Sequence, residues 1–475
     1  MTQQINRSKI NGMNRNIKKL IGLICLLGLN STLLFADPKP VDLVYTNPGE
    51  DCATSVRLSW HTTEEKSTVY YSKAEDTEYK HAKKIASTGV NTPVEFHDGE
   101  QYYRHEAIIK GLKKDTSYHY KIVLESGYES DEYSFATADN DGEFGFLWTG
   151  DVHSHPDIEI RRELSEKLAE AAEKNLDNDM DLVISTGDEV CYGAYYDNWQ
   201  EWQGGYINRK VWAGIPGNHT YYDVFPKKGQ DTVDNRWWCA TQNPPDNGPE
   251  VMRSNFWFKY DSILFIGIDS IDTSYLNQQK EWFEEVLKKN EGTYQYLIVF
   301  QHYPYISGFN GGFGGPNVSY YLWMNLFDEY GVDLALSGDH HVYLQSNALK
   351  NKKTAKDGKS GTTYFVCPQI GDRAREMQGT IDPSIIKSRI TSSDLAYESG
   401  LSYFKVSKEG ITHTLLDGNG DIVESHFILA KRSYVEPKNK SFALILIIAA
   451  SVILIAVIAA VIIVRAKASA QSHAE

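Results

Sequence analysis

Five short clusters of polar residues in the sequence contain side chains of the types that bind divalent metal ions. Each cluster follows an apolar run, and they read Gly150-Asp151-Val152-His153, Gly187-Asp188-Glu189, Gly217-Asn218-His219, Gln301-His302-Tyr303-Pro304 and Gly338-Asp339-His340-His341. Carboxylate, amide oxygen and imidazole are ligands that hard or borderline divalent ions accept. One such cluster is weak evidence, but five in this arrangement favour a site for two metal ions that share a carboxylate.

The apolar runs before these clusters predict the strands of a large α/β domain. Strands are expected at 144–148, 182–185, 256–258, 263–268, 296–300 and 332–336, with helices near 278–289 and 319–330. An apolar stripe predicts one more helix through Ile158, Ile160, Leu164, Leu168 and Ala172. Because loops beyond the carboxyl ends of strands converge on one crevice in such domains, the five clusters are expected to meet there.

The region before this domain has the alternation that is typical of an all-β sandwich. Short strands are expected at 56–60, 68–71, 105–109 and 117–122, separated by turn residues. The stretch resembles a fibronectin type III domain, in which Trp60 would be the core tryptophan and Leu112 would pack with Tyr118 at a turn. No catalytic constellation occurs here, so a spacer or docking role is expected.

Composition and charge describe an acidic globular protein. The 475 residues are 41% hydrophobic and 23% charged, which excludes disorder of the whole chain. The net charge of −15 makes nucleic acid a poor partner, so a phosphate-bearing ligand needs a local positive site.

Both ends of the chain have features that are typical of an exported membrane protein. Residues 1–36 place basic residues before an apolar run and a small residue, as a secretory signal does. Residues 442–464 form a 23-residue run without a charge, long enough to cross a bilayer of about 30 Å. The sequence therefore predicts a signal (1–36), a β-sandwich (37–137), an α/β domain (138–435), a transmembrane helix (442–464) and a cytoplasmic tail (465–475), with the body at the cell surface.

Cysteine usage is compatible with an oxidising compartment. Outside the signal the cysteines are Cys52, Cys191, Cys239 and Cys367. Two disulfides fit the even number, and one bridge or none fits it equally well.

The order GDxH, GDE, GNH, HxP and GxxH resembles the calcineurin-like metallophosphoesterase superfamily. The preceding sandwich makes the purple acid phosphatase branch the nearest match, over residues 41–427. The resemblance implies an α/β sandwich of β-sheets flanked by helices, after a fibronectin type III-like domain. It also implies a hydrolase of small phosphate esters, an acid phosphatase-like phosphomonoesterase or a phosphodiesterase, with a dinuclear metal centre and a metal-bound hydroxide.

The same resemblance implies roles for individual residues. The first metal would be held by Asp151, His153, Asp188 and His341. The second would share Asp188 as the bridging ligand and add Asn218, His302 and the residue at position 339. His219 would protonate the leaving group or hold a phosphate oxygen, and orientation of its loop is the alternative role.

Two positions depart from the purple acid phosphatase pattern. Cys191 occupies the position of the iron-binding tyrosine, with Tyr192 one residue later, and His153 supplies an additional imidazole. This exchange predicts two divalent ions (Mn, Fe or Zn) and a colourless protein, unless a bulge directs Tyr192 at the metal.

The other departure is Gly338-Asp339-His340-His341, where the family has Gly-His-x-His. Asp339 is the expected ligand, His340 is the alternative, and a broken second site would leave a pseudoenzyme. A surface binding or adhesion protein with a catalytically weak scaffold is therefore the alternative function.

Overall fold

The computed structural model describes residues 39–92, 101–153, 158–177, 179–203, 209–222, 235–309, 312–314, 320–371 and 382–434. The described residues from Val41 onward belong to one compact unit. The predicted signal, transmembrane helix and cytoplasmic tail lie outside the described residues. Within the described ranges, none of the helices combines the length and the apolar composition that crossing a membrane requires.

The first eight strands build the predicted all-β region from two antiparallel sheets. One sheet has the order β1-β2-β6-β5 and the other β4-β3-β7-β8. The strands are β1 (Val41–Pro48), β2 (Ser55–Thr62), β3 (Lys66–Lys73), β4 (Lys83–Thr88), β5 (Val90–Asn91), β6 (Tyr103–Lys110), β7 (Thr116–Leu124) and β8 (Tyr133–Thr137).

The core of this region is organised around Trp60, as the sequence predicts. Trp60 is fully buried and stacks on the ring of His105, with 5.3 Å between ring centroids. The hydroxyl of Tyr118 accepts a hydrogen bond of 2.9 Å from the backbone N–H of Lys113, beside the buried Leu112. The turn before β7 is therefore fixed by the strand that follows it.

The second region contains the remaining strands and five α-helices among the described residues. The helices are α1 (Ile158–Asn175), α2 (Tyr196–Trp202), α3 (Arg236–Thr241), α4 (Leu276–Asn290) and α5 (Tyr320–Tyr330). The strands are β9 (Phe144–Thr149), β10 (Met180–Ser185), β11 (Val211–Gly214), β12 (Phe256–Tyr260), β13 (Ile263–Ile268), β14 (Tyr296–Gln301), β15 (Leu334–Ser337), β16 (Val342–Ser346), β17 (Leu349–Lys350), β18 (Lys353–Thr354), β19 (Thr363–Val366), β20 (Ile386–Thr391), β21 (Gly400–Val406), β22 (Gly410–Asp417) and β23 (Ile422–Leu429).

Two mixed sheets enclose the core of the second region. One has the order β11-β10-β9-β21-β22-β23 and the other β12-β13-β14-β15-β19-β16-β20. Phe146 of the first sheet stacks on Phe404 at 4.7 Å and meets Phe265 of the second sheet edge-on at 5.5 Å. In each sheet a parallel set, β9–β11 and β13–β15, places the carboxyl ends of its strands at one edge.

The predicted apolar stripe on α1 is correct in its second half and wrong at Ile160. Leu168 and Ala172 are fully buried, whereas Ile160 is 65% exposed. Arg161 takes the buried position instead, because its guanidinium donates a 2.5 Å hydrogen bond to the backbone carbonyl of Ile370. A polar side chain with a partner in the fold thus displaces an apolar one from the packed face.

The sandwich and the second region meet through buried hydrogen bonds. Ser59 Oγ donates to the carbonyl of Thr241 at 2.6 Å, and Asn243 Nδ2 donates to the carbonyl of Leu58 at 2.8 Å. Such fixed polar contacts define one relative placement of the two regions.

The four cysteines in the described residues are free, so the two-disulfide hypothesis is wrong. Their sulfur atoms face other groups: Cys52 Sγ lies 3.9 Å from the carbonyl of Gly49, and Cys239 Sγ lies 3.6 Å from Asn235 Oδ1.

Candidate metal centre

The loops that follow β9, β10, β11, β14 and β15 converge and bring all eight predicted site residues together. Four of these residues have left-handed backbones: φ is 54° at Asp151, 59° at Asp188, 67° at Asp339 and 56° at His341. Such conformations are unfavourable for residues other than glycine and are maintained where surrounding structure or function requires them. Here they turn the chain sharply after β9, β10 and β15, so that the side chains of these loops face one another.

One group of contacts surrounds the imidazole of His302. Its Nε2 lies 2.9 Å from Asn218 Oδ1, 3.3 Å from Asp188 Oδ2 and 3.9 Å from Asp339 Oδ1. Its Nδ1 lies 2.8 Å from the carbonyl oxygen of Thr186 and donates to it. That hydrogen bond orients Nε2 toward the three oxygen atoms. Metal-binding histidines are commonly held by a hydrogen bond from the other ring nitrogen in this way.

Asp188 occupies the centre of the site. Besides contacting His302, its Oδ2 lies 3.7 Å from His153 Nε2 and 4.0 Å from His219 Nε2. Its Oδ1 accepts the backbone N–H of His219 at 2.9 Å. A Cβ at Gly217 would stand 2.0 Å from that same oxygen, so only glycine fits beside the carboxylate.

A second group of contacts joins Asp151, His153 and His341. His341 Nε2 lies 3.7 Å from Asp151 Oδ1, and the rings of His341 and His153 lie 5.1 Å apart. His341 Nδ1 is 2.9 Å from Oε1 of Gln369, which lies beyond the end of β19. Gln369 is a contributor that the sequence interpretation missed, although it too follows an apolar strand.

The geometry also groups the ligand candidates differently from the motif pattern. Ligand atoms within 4.8 Å of one another form two buried trios, His153 with Asp188 and His219, and Asp151 with Asp188 and His302. Asp188 belongs to both trios, in agreement with a shared carboxylate. The structure places His219 close enough to be a ligand as well, a possibility that the motif pattern did not include.

The imidazole of His219 is fixed by a hydrogen bond at Nδ1 and by ring packing. Its Nδ1 lies 2.9 Å from the carbonyl oxygen of Cys191, and its ring packs edge-on against His153 with 3.8 Å between centroids. Cys191, at the position where a tyrosine was expected from the family, therefore contributes a backbone oxygen to the site. The ring of the neighbouring Tyr192 packs against Tyr195 at 5.0 Å.

Asp339 and His340 take different positions. Asp339 donates its backbone N–H to Asp151 Oδ1 at 2.9 Å, and its carboxylate lies between His302 and His340, 3.4 Å from His340 Nε2. His340 Nδ1 accepts the backbone N–H of Gly308 at 2.9 Å, and its ring packs on Phe309 at 4.2 Å. The carboxylate thus faces the site with the His340 imidazole beside it.

The buried carboxylates of the site need positive charge nearby to be stable in their ionised form. Burial raises the pKa of Asp151 well above its usual range, and the positive charge of His302 offsets burial and neighbouring carboxylates only in part. Asp151 Oδ2 is buried without a hydrogen-bond partner among the described residues. Burial also opposes ionisation of Asp188, but the charges of His302 and His219 hold its pKa below the usual range. A mixed nitrogen and oxygen donor set with an unpaired buried carboxylate oxygen fits divalent metal ions.

Comparison with known families agrees with this geometry. Residues 38–137 match the N-terminal domain of purple acid phosphatases, and residues 144–343 match the calcineurin-like phosphoesterases. Both regions of the chain therefore match the purple acid phosphatase-like branch of the calcineurin-like phosphoesterases.

Two curated relatives that resemble this chain are plant enzymes. The chain is 25% identical over 327 residues to a purple acid phosphatase from Glycine max, covering 65% of this chain and 66% of the relative. It is also 25% identical over 332 residues to an Fe(3+)-Zn(2+) purple acid phosphatase from Arabidopsis thaliana, covering 66% of each chain. The chain thus spans just under two thirds of the length of these relatives.

Two solved structures share the fold of this chain. Purple acid phosphatase PPD1 from yellow lupin seeds superposes with a TM-score of 0.66 at 15% identity, covering 83% of this chain and 75% of the lupin chain. PhoD superposes with a TM-score of 0.56 at 14% identity, covering 84% of this chain and 95% of PhoD.

Proposed function

We propose that this protein hydrolyses small phosphate esters, monoesters in preference to diesters, at a centre of two divalent metal ions. The observation that carries the proposal is the position of Asp188, whose Oδ2 lies within 4.0 Å of the Nε2 atoms of His153, His219 and His302. A carboxylate placed among three imidazoles is suited to bridging two cations.

The ligand set of each ion is the one that the sequence motifs imply, and all of its residues lie in the site. Asp151, His153, Asp188 and His341 would hold the first ion. The second would be held by Asp188, Asn218, His302 and Asp339. Nitrogen and oxygen donors without thiolate suit Mn, Fe or Zn, and Asp339 adds an anionic oxygen where the family has imidazole. When bound, the two ions supply activation of water and charge stabilisation for an in-line displacement at phosphorus.

The protein's own groups position the substrate and handle the proton of the leaving group. His219 directs Nε2 toward the Asp188 carboxylate, and the Cys191 carbonyl fixes Nδ1 as the donor on its other side. We assign to the imidazolium form of His219, which carries a proton on both ring nitrogens, the contact of Nε2 with the leaving-group oxygen. Nε2 donates a hydrogen bond to that oxygen and then transfers its proton, while Nδ1 keeps its proton on the Cys191 carbonyl. Asp339 and Asn218 complete the side of the site that surrounds His302.

Metal reconstitution with two substrates tests this function. The purified body is stripped of metal, reloaded with Mn, Fe or Zn, and assayed for phosphate release from an aryl monoester and for cleavage of an aryl diester. We expect reloading to restore monoester hydrolysis above diester hydrolysis. If neither ester is cleaved by protein that has bound two ions, the catalytic proposal fails, and the adhesion alternative gains support.

We also propose that the body is exported and held at the cell surface by residues 442–464. The support is the uncharged apolar run together with the basic and apolar pattern of residues 1–36. A chain truncated before Phe442 is expected to leave the membrane fraction and to keep full turnover. Retention of the truncated chain in the membrane fraction would contradict the anchoring role.

A further inference from the structure

Three carboxylates outside the metal centre meet where the linker between the two regions passes a β-turn. Asp139 and Asp141 lie between β8 and β9, and Asp261 lies in the turn between β12 and β13. One oxygen of each carboxylate lies within 4.8 Å of the others. We propose that these residues bind one calcium ion, which ties the linker to the β12–β13 turn.

The buried carboxylate of Asp261 is the observation that points to a ligand. Asp261 is only 6% exposed, and its Oδ1 is buried without a hydrogen-bond donor among the described residues. Its Oδ2 accepts the backbone N–H of Gly142 at 3.1 Å. A buried carboxylate oxygen without a partner is destabilising, so this arrangement needs a cation or a proton.

No basic side chain in the described part of the chain neutralises the cluster. Its carboxylates form no ion pair with a described lysine, arginine or histidine. Lys408 passes beside Gly142, but its Nζ lies over the ring of Tyr434, 4.9 Å from the ring centroid. Burial, with the charge of Asp141 second, raises the pKa of Asp139 to about 6, so a proton is mostly lost at neutral pH.

The ligand atoms of the cluster favour calcium over other metal ions. All three ligands are oxygen atoms, and calcium binds such sets at about 2.3–2.6 Å with irregular geometry and several waters. Two ligands on opposite sides of one calcium ion are therefore about 5 Å apart, which suits the spacing of the cluster. Asp141 is exposed and Asp139 half-buried, so water can complete the coordination. The absence of nitrogen donors from this trio separates it from the imidazole-rich centre, which suits Mn, Fe or Zn.

The position of the cluster indicates a structural role. The Tyr434 hydroxyl donates to the backbone carbonyl of Asn140 at 2.9 Å, so the last described residue also contacts this linker. An ion here would hold the linker, the β12–β13 turn and the end of the described chain together. We expect calcium to raise thermal stability and to protect the linker from proteolysis, without changing turnover.

Calcium titration of the holoprotein tests the site. The active-site ions are first saturated, and calcium is then followed by calorimetry and by thermal unfolding. The wild type should bind one calcium ion per chain, with a saturable rise in Tm of several degrees. Asp261→Asn and Asp141→Asn should each weaken calcium binding by about 100-fold or more while keeping phosphatase activity. Glu285→Gln, an exposed carboxylate on α4, should behave as the wild type.

Each alternative result overturns the proposal. A wild-type protein that shows neither heat nor a Tm change up to about 5 mM calcium does not have the site. An unchanged calcium response in Asp261→Asn places the ion elsewhere. A response to magnesium that equals or exceeds the response to calcium contradicts the assignment to calcium. If stability instead rises as pH falls through about 6 and calcium has no effect, the carboxylates share a proton. Retained phosphatase activity in these variants separates all such results from failure of the proposed function.

Discussion

The amide oxygen Oε1 of Gln369 lies 2.9 Å from Nδ1 of His341. This contact makes Nδ1 the donor and leaves Nε2 directed at Asp151, 3.7 Å from its Oδ1. Gln369 also donates through Nε2 to the carbonyl of Gly371 at 2.5 Å, so its amide is anchored on both sides. Gln369 thus sets the orientation of the His341 imidazole, which we propose as a metal ligand.

Replacing Gln369 tests this orientation. We expect Gln369→Leu to lower metal affinity by about 10- to 100-fold, because the imidazole loses the acceptor that holds it. Activity measured against metal concentration should reach half its maximum at a correspondingly higher concentration. Gln369→Glu keeps an acceptor for His341 and loses the donor to Gly371, so it should retain most of the affinity. Equal affinity in Gln369→Leu and the wild type would show that His341 is not held in this way.

Substitution of His219 distinguishes a proton donor from a ligand. His219→Gln is expected to lower kcat by about 10²- to 10⁴-fold while two ions per chain remain bound, since its assigned role is to the leaving group. Metal analysis and steady-state kinetics on the same preparation provide the check. Loss of one ion in proportion to activity would assign His219 as a ligand, as the trio with His153 and Asp188 permits.

Substitutions at Asp339 and His340 should weaken binding of the second ion to different extents. Asp339→Ala removes the carboxylate beside His302, and we expect such protein to retain one ion and to lose turnover. His340→Ala removes only the imidazole 3.4 Å from that carboxylate, so two ions should bind with reduced affinity. The reverse order, with one ion lost from His340→Ala and two kept in Asp339→Ala, would make His340 the ligand.

His413 should contribute to the pH dependence of stability. Burial lowers its pKa to about 3, whereas an unfolded histidine titrates near pH 6.5. Between these values the unfolded state binds the additional proton, so stability falls as pH falls from about 6.5, by at most about 1.4 kcal/mol per pH unit from this group.

The change of the unfolding free energy with pH is measured by urea unfolding at several pH values. His413→Gln should be less sensitive to pH between about 6.5 and 4 than the wild type, whatever its stability at neutral pH. The exposed His81 provides the control, and His81→Gln should show the wild-type slope. Parallel curves for His413→Gln and the wild type would contradict the buried neutral state of His413.

Six strands of the second region could be predicted from sequence, because strands buried in a sheet are continuous apolar runs, whereas β11 and β16 to β23 were not predicted. Phe144–Thr149 and Ile263–Ile268 end where the apolar pattern ends. The contact between His219 and His153 could not be predicted, because it depends on how two loops meet in space. Gln369 was missed for a related reason, since glutamine is not a metal ligand in the pattern and acts only through His341.

The sequence-based prediction of buried residues failed where polar residues occupy buried positions. The apolar pattern assigned Ile160 to the packed face of its helix, but Arg161 finds a carbonyl partner there and is buried instead. The carboxylate of Asp261 is another buried polar group that periodicity does not indicate. Both follow from specific partners in the tertiary structure rather than from local composition.

Metal content and phosphate release, measured on the same preparations of wild-type and Asp188→Asn protein, test the shared-carboxylate centre most directly. The wild type should carry two ions per chain and hydrolyse an aryl phosphate. Asp188→Asn should lose hydrolysis and bind less metal at both sites, because one carboxylate neutralises both cations. Asp246→Asn, a change at an exposed carboxylate, should match the wild type. Two bound ions and ordinary turnover in Asp188→Asn would contradict the shared-carboxylate centre.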